Sequence, residues 1–174
     1  VGEIAEAVVT IPANFTHEAR DATMQAAKKA GLNVKYIINE PTAAALYYGY
    51  DGGDAMSGNY IVYDLGGGTF DVSVVNISGD NIEVVATEGV SKLGGDDFDR
   101  VLREIIKTKY KSMSGLEVSD RKIPLAKIAE MKIKLSNRET AKFLVEDEIV
   151  EVLRAEFEDA ISPLINQTEM LCES

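Results

Sequence analysis

The chain has 174 residues, of which 45% are hydrophobic and 27% charged, and a formal net charge of −11. That length supports one core or two smaller lobes, and so acidic a surface repels phosphate backbones and anionic bilayers, so neither nucleic acid nor membrane is an expected partner. A single cysteine, Cys172, and a single histidine, His17, rule out an internal disulfide and a four-ligand zinc site. They point to a reduced, cytoplasmic setting. No apolar run approaches the ~20 residues of a membrane span, and the opening VGEIAEAVVT lacks a signal pattern.

In chain order, Ala7–Ile11 reads as a short buried strand stopped by Pro12. Thr16 can cap the helix that follows, with Glu18 in its first turn and Gly31 as its stop. Ala19, Ala22, Thr23, Ala26 and Ala30 fall at helical spacing and predict a small-residue stripe packed on a sheet. Asn33–Ile38 reads as a second strand, and Glu40-Pro41 opens a second helix ending near Gly49. Asp51–Asn59 is polar and glycine-rich, the best linker candidate. Three strands follow, at Tyr60–Leu65, Phe70–Ile77 and Ile82–Thr87, with a turn at Ser78-Gly79-Asp80. A long helix starts near Gly95, with Phe98, Val101, Leu102, Ile105, Ile106 and Tyr110 on one face. Leu125, Ile128, Lys132 and Leu135 mark another helix, and Ala141–Glu146 a strand. The last helix carries Phe157, Ile161, Leu164, Thr168 and Leu171 on one face, with Pro163 predicted to kink it.

The sharpest chemical signal is Asp64-Leu65-Gly66-Gly67-Gly68-Thr69-Phe70-Asp71. Glycines let a chain turn tightly and let a phosphate approach backbone N–H groups. Thr69 adds a hydroxyl, and Asp64 and Asp71 bracket the turn, placed to hold a hydrated Mg²⁺ against a phosphate. A bare hairpin needs two turn residues rather than three glycines between acids, which favours the phosphate reading. Leu93-Gly94-Gly95-Asp96-Asp97-Phe98-Asp99 places glycines just before a helix, a ready anion site, although its acids also suit the helix dipole. In Ile38-Asn39-Glu40-Pro41-Thr42-Ala43-Ala44-Ala45, Glu40 at a strand-to-helix junction either caps the helix or orients a water or hydrated metal. Other phosphate motifs fail: Asp71 stands where a third dinucleotide glycine would be, and Gly95 replaces the P-loop lysine. His17 has no nucleophile partner and reads as a surface residue.

Together, TIPANF, GLNVKYIINEPTAAALYYGY, YDLGGGTFDVSVV and KLGGDDFD resemble the nucleotide-binding domain of the 70-kDa heat-shock (DnaK-type) chaperones over nearly the whole chain. The resemblance implies an α/β, actin-like ATPase (ribonuclease H-like) fold with ATP in a cleft between two lobes. Residues 1–52 would then finish the first lobe, 59–92 form the base of the second with its phosphate turn, and 93–174 its outer subdomain and return helix. By the same resemblance, Asp64 and Asp71 are the Mg²⁺-associated aspartates, and Gly66, Gly67, Gly68 and Thr69 the β/γ-phosphate turn. Glu40 positions catalytic water and metal, Gly94 and Gly95 lie near the phosphates, and Lys132 and Ser136 contact adenosine. Pro12 and Arg20 match residues that signal between the ATP site and a substrate domain. ATP/ADP and Mg²⁺ are the implied cofactors. Unfolded polypeptides, a J-domain co-chaperone and a nucleotide-exchange factor are the implied partners.

The sequence departs from that pattern in several places. The family's first phosphate loop, its first-lobe lysine and its downstream adenosine loop are not in this sequence, so a fragment or truncated form is expected. Ala129 stands where a ribose-binding glutamate is usual, Asp96 replaces a glutamate, and Tyr36 sits where an arginine often helps dock co-chaperones. The stretch from Ser136 to Phe157 is short. Two other readings remain: another actin-fold ATPase such as a rod-shape filament protein, and a truncated, non-catalytic interaction module. A sugar kinase of the same fold lacks its sugar-binding segment here.

Overall fold

The computed structural model describes residues 5–51 and 57–174, so the centre of the linker candidate, residues 52–56, lies outside the described residues. The chain divides into two compact units, one of residues up to Asp64 with Asp71–Gly89, the other of Leu65–Phe70 with Val90–Ser174.

In the first unit, β1 (Ala7–Ile11), α1 (His17–Lys29) and β2 (Val34–Asn39) form a strand–helix–strand crossover, and β1 pairs with β2 in parallel. Thr16 caps α1 through its hydroxyl, which accepts from the Ala19 N–H at 3.3 Å, and Gly31 leaves the helix at φ +78°. The small-residue stripe packs only in part. Its Ala19 and Thr23 are half-buried but Ala22, Ala26 and Ala30 are exposed, and the packed face runs instead through half-buried Met24 and buried Ala27. An alanine-rich helix offers two overlapping small faces, and the one carrying Met24 removes more apolar area from water.

β2 passes directly into α2 (Glu40–Asp51), which runs on past Gly49. β3 (Gly58–Leu65), β4 (Phe70–Ser78) and β5 (Asn81–Val90) form one sheet in that order. Only residues 66–69 join β3 to β4, far too few for a parallel crossover, so the two make a hairpin. β4 is central and its Val72, Ser73, Val75 and Ile77 are buried. The buried Ser73 hydroxyl is satisfied by Thr87 Oγ1 at 2.9 Å. Ala45 of α2 packs with Val75 and Ile77, flanked by Tyr60, Val62 and Ile82.

The second unit holds α3 (Gly95–Ser114), a short 3₁₀ turn (Asp120–Lys122), α4 (Leu125–Leu135), β6 (Thr140–Val145), β7 (Glu148–Leu153) and α5 (Arg154–Glu173). Leu102 and Ile106 of α3, Ile128 of α4, and Val150 and Val152 of β7 are fully enclosed in its core. Each such side chain stabilises the fold by about 1.5–3 kcal/mol. β6 and β7 are antiparallel, with Ala141, Phe143, Val145, Val150 and Val152 facing inward and Lys142 opposite Glu151 on the outer face. The sequence reading passed over β7. Lys109 of α3 ties the unit together, donating to Glu156 at 2.6 Å and to the Glu151 carbonyl at 2.9 Å. α5 keeps its expected face, with Phe157 and Thr168 buried, and continues through Pro163 without a break in the helix. Among the described residues, no helix is long and apolar enough to cross a membrane.

Candidate functional site: a glycine turn and three carboxylates

The first unit contains Glu40, Asp64 and Asp71. Glu40 is half-buried at the first position of α2, a consequence of β2 feeding the helix without a loop. Asp71 is half-buried near the start of β4, where Asn14 Nδ2 donates to its Oδ1 at 3.0 Å. Burial raises the Glu40 pKa, and the charges of Asp64 and Asp71 raise it further. Burial, followed by the Asp64 charge, also raises the Asp71 pKa, while the Asn14 hydrogen bond works in the opposite direction. Among the described residues, no lysine or arginine forms an ion pair with any of the three. The acids are thus electrostatically frustrated, a condition that a cation relieves. Among the described residues no three acidic, histidine or cysteine groups converge closely enough to hold a metal directly.

The second unit contains the glycine turn, and backbone bonds define its shape. Gly66 N–H donates to the Thr69 carbonyl at 2.9 Å, closing the turn without a helix. Gly95 N–H then donates to the Gly66 carbonyl at 2.9 Å, and Asp96 N–H to the Gly67 carbonyl at 2.7 Å. The opening of α3 is therefore occupied by the turn's own carbonyls and is not a vacant anion site. Such close approach needs glycine at position 94, where an added Cβ would lie 2.6 Å from the Gly67 carbonyl oxygen and 2.7 Å from that of Gly66. Asp97 caps α3 by accepting from Gly94 N–H at 3.1 Å. The N–H groups of Gly67, Gly68 and Thr69 have no acceptor among the described residues, all three residues are exposed, and a Cβ at Gly68 would meet open space. Successive free N–H groups on an exposed turn make an anion-binding concavity.

Lys132 also reaches this unit's glycine segment. Its ammonium donates to the Gly95 carbonyl at 2.8 Å and stands 2.8 Å from Asp99 Oδ1. Ser136 is exposed at the end of α4, its hydroxyl 3.5 Å from the Lys132 carbonyl. Pro12 follows β1 and Arg20 lies near the start of α1, both half-buried. His17 is exposed at the first residue of α1. Two contributors escaped the sequence reading, Asn14 and Asp99. Both lie inside motifs already singled out, TIPANF and LGGDDFD, but neither residue type announces its contact.

The family model described as Hsp70 protein matches residues 1–174. The chaperone protein HscA homolog of Vibrio atlanticus (strain LGP32) is 44% identical over 171 residues, covering 98% of this chain and 27% of that protein. The HscA homolog of Haemophilus influenzae (strain PittEE) is 43% identical over 173 residues, with the same shares covered. The chaperone protein DnaK of Anaplasma marginale (strain St. Maries) is 42% identical over 184 residues, 98% of this chain and 28% of that protein. This chain belongs to the Hsp70 family. It spans little more than a quarter of the length of these relatives. The family match favours neither a rod-shape filament protein nor an interaction module.

Proposed function

We propose that these residues bind Mg-ATP, and that the full-length protein hydrolyses it to ADP and couples turnover to binding unfolded polypeptides. The observation that carries this reading is the run of free N–H groups at Gly67, Gly68 and Thr69, on a turn fixed from behind by α3. In this reading those groups and the Thr69 hydroxyl receive the β/γ-phosphates. Gly94 and Gly95 act by letting α3 close on the turn, not by donating to phosphate. Lys132 and Ser136 contact the adenosine. Glu40 orients the attacking water, and its raised pKa suits a group that receives a proton. Asp64 and Asp71 hold Mg²⁺ through its waters. Bound there, the ion supplies charge neutralisation for the phosphoryl group.

The lobe assignment belongs to the same proposal: residues 1–52 finish a first actin-like lobe, 59–92 begin the second, and 93–174 form its outer subdomain. So do a cytoplasmic location, a J-domain co-chaperone, a nucleotide-exchange factor, and Pro12 and Arg20 as links to a substrate domain. Steady-state ATP turnover by the full-length protein tests the reading. Thr69→Ala and Asp64→Asn each remove an interaction aimed at the transferring phosphoryl group and should slow turnover about 10²-fold or more. Unchanged turnover in both variants would sink it.

A further inference from the structure

We infer that Asp99 is a positioning residue: it holds Lys132 in place and, through Lys132, fixes Gly95 and the Gly66–Thr69 turn. The inference deepens the nucleotide reading above and rests on it. Asp99 is 5% exposed, and a carboxylate so enclosed is retained only with a charged partner. That partner is Lys132 of α4, at 2.8 Å, the single cation paired with Asp99 among the described residues. Gly95 and Asp99 are four residues apart in α3 and share one face, so a single ammonium bridges both. The bridge is uneven. Asp99 Oδ1 accepts no hydrogen bond of adequate angle, so the attraction is electrostatic, whereas a true N–H bond runs to the Gly95 carbonyl at 2.8 Å.

Gly95 in turn donates to the Gly66 carbonyl at 2.9 Å. A continuous polar chain therefore leads from the buried Asp99 carboxylate through the Lys132 ammonium and the Gly95 peptide to the first glycine of the turn. The ammonium has three N–H donors, and the bond to Gly95 uses one. Asp99 acts on any ligand only through Lys132, which it keeps pointed along this path. A purely structural ion pair would stabilise the unit and leave ligand affinity alone, so affinity separates the two roles.

The test is a double-mutant cycle in the full-length protein, with Mg-ADP titrated by calorimetry against the parent, Asp99→Asn, Lys132→Met and the double variant. Each single change should weaken Mg-ADP binding about tenfold (about 1.4 kcal/mol), and the double variant no further, because both break one chain. Parent-like affinity in Asp99→Asn, or a double loss equal to the product of the single losses, overturns the inference. A parent that binds no Mg-ADP overturns the nucleotide reading itself and this inference with it. Should Asp99→Asn not fold, ¹⁵Nζ-lysine spectra of the unmodified protein decide. The Lys132 ammonium signal should exchange slowly with water and shift on adding Mg-ADP. Fast exchange with no shift overturns the inference.

Discussion

Replacing Gly94 with alanine probes the contact that shapes the proposed phosphate turn. Gly94 has φ −178°, extended backbone open to any residue, so conformational strain plays no part. The entire effect comes from one methyl group placed 2.6 Å and 2.7 Å from two carbonyl oxygens and 2.7 Å from a carbonyl carbon. All three are backbone atoms, so no flexible side chain can move aside. Forcing a methylene-sized group into a packed site costs about 1–3 kcal/mol. Separating the segments also weakens the Gly95-to-Gly66 and Asp96-to-Gly67 hydrogen bonds, at about 0.5–1.5 kcal/mol each. Partial relaxation makes these terms overlap, so a loss of about 2–4 kcal/mol is expected. Urea unfolding followed by a probe in the second unit reads the loss, and hydrogen exchange at Gly95 and Asp96 amides should accelerate in parallel. Gly95→Ala is the milder comparison, because its methyl would meet the Lys132 ammonium at 3.2 Å and no backbone atom closer than 3.7 Å. It should cost less than about 1 kcal/mol. Equal stabilities for Gly94→Ala and the parent would show that the turn and α3 do not close on each other in this way.

Gly68→Ala should leave stability within about 0.5 kcal/mol, since its methyl meets open space, yet abolish most Mg-ATP affinity by filling the place proposed for phosphate. Glu40 has a raised pKa, so the folded state holds its proton more tightly than the unfolded chain. Stability therefore falls as pH rises from the ordinary carboxylate range through the raised value. Glu40→Gln should remove that fall, gaining a few tenths to about 1 kcal/mol at neutral pH and nothing in acid, as measured by urea midpoints across pH. Lys92 adopts φ +137°, a region favourable only to glycine, immediately before the buried Leu93. Lys92→Gly relieves about 1–3 kcal/mol of strain against a smaller entropic loss, so thermal unfolding should move upward. The 174-residue chain alone should bind Mg-ATP weakly and release no phosphate, since the residues above supply only one phosphate turn. Calorimetry and a phosphate-release assay on that chain check this.

Much of the fold was legible because its signals are local. Thr16, Gly31 and the Glu40-Pro41 junction fix helix ends through short-range hydrogen bonding and backbone conformation, and each stands where the sequence placed it. The 3.6-residue spacing of Phe98, Leu102, Ile106 and Tyr110 likewise identified the buried face of α3. β7 was passed over although Val150 and Val152 alternate, because exposed Ile149 and Leu153 beside them blur the alternation in so short a segment. Its turn also depends on Glu146 at φ +51°, a conformation unusual for glutamate. The small-residue stripe of α1 matched the packed face only at Ala19 and Thr23, because alanines score alike on every face and only packing against the rest of the unit decides between them. At the site, glycines and acids announced themselves by type. The use of α3's first N–H groups to brace the turn, and the Lys132–Asp99 bridge, depend on tertiary approach between segments that sequence spacing does not encode.

The central claim is that a magnesium-bound nucleotide rests on the free N–H groups of Gly67, Gly68 and Thr69. Calorimetric titration of ATP into the full-length protein, with Mg²⁺ and then with EDTA, compared between the parent and Gly68→Ala, measures it most directly. The account predicts micromolar or tighter binding by the parent with Mg²⁺, and losses of about a hundredfold (about 2.7 kcal/mol) on chelation or substitution. Binding that is indifferent to both Mg²⁺ and the Gly68 methyl would contradict it.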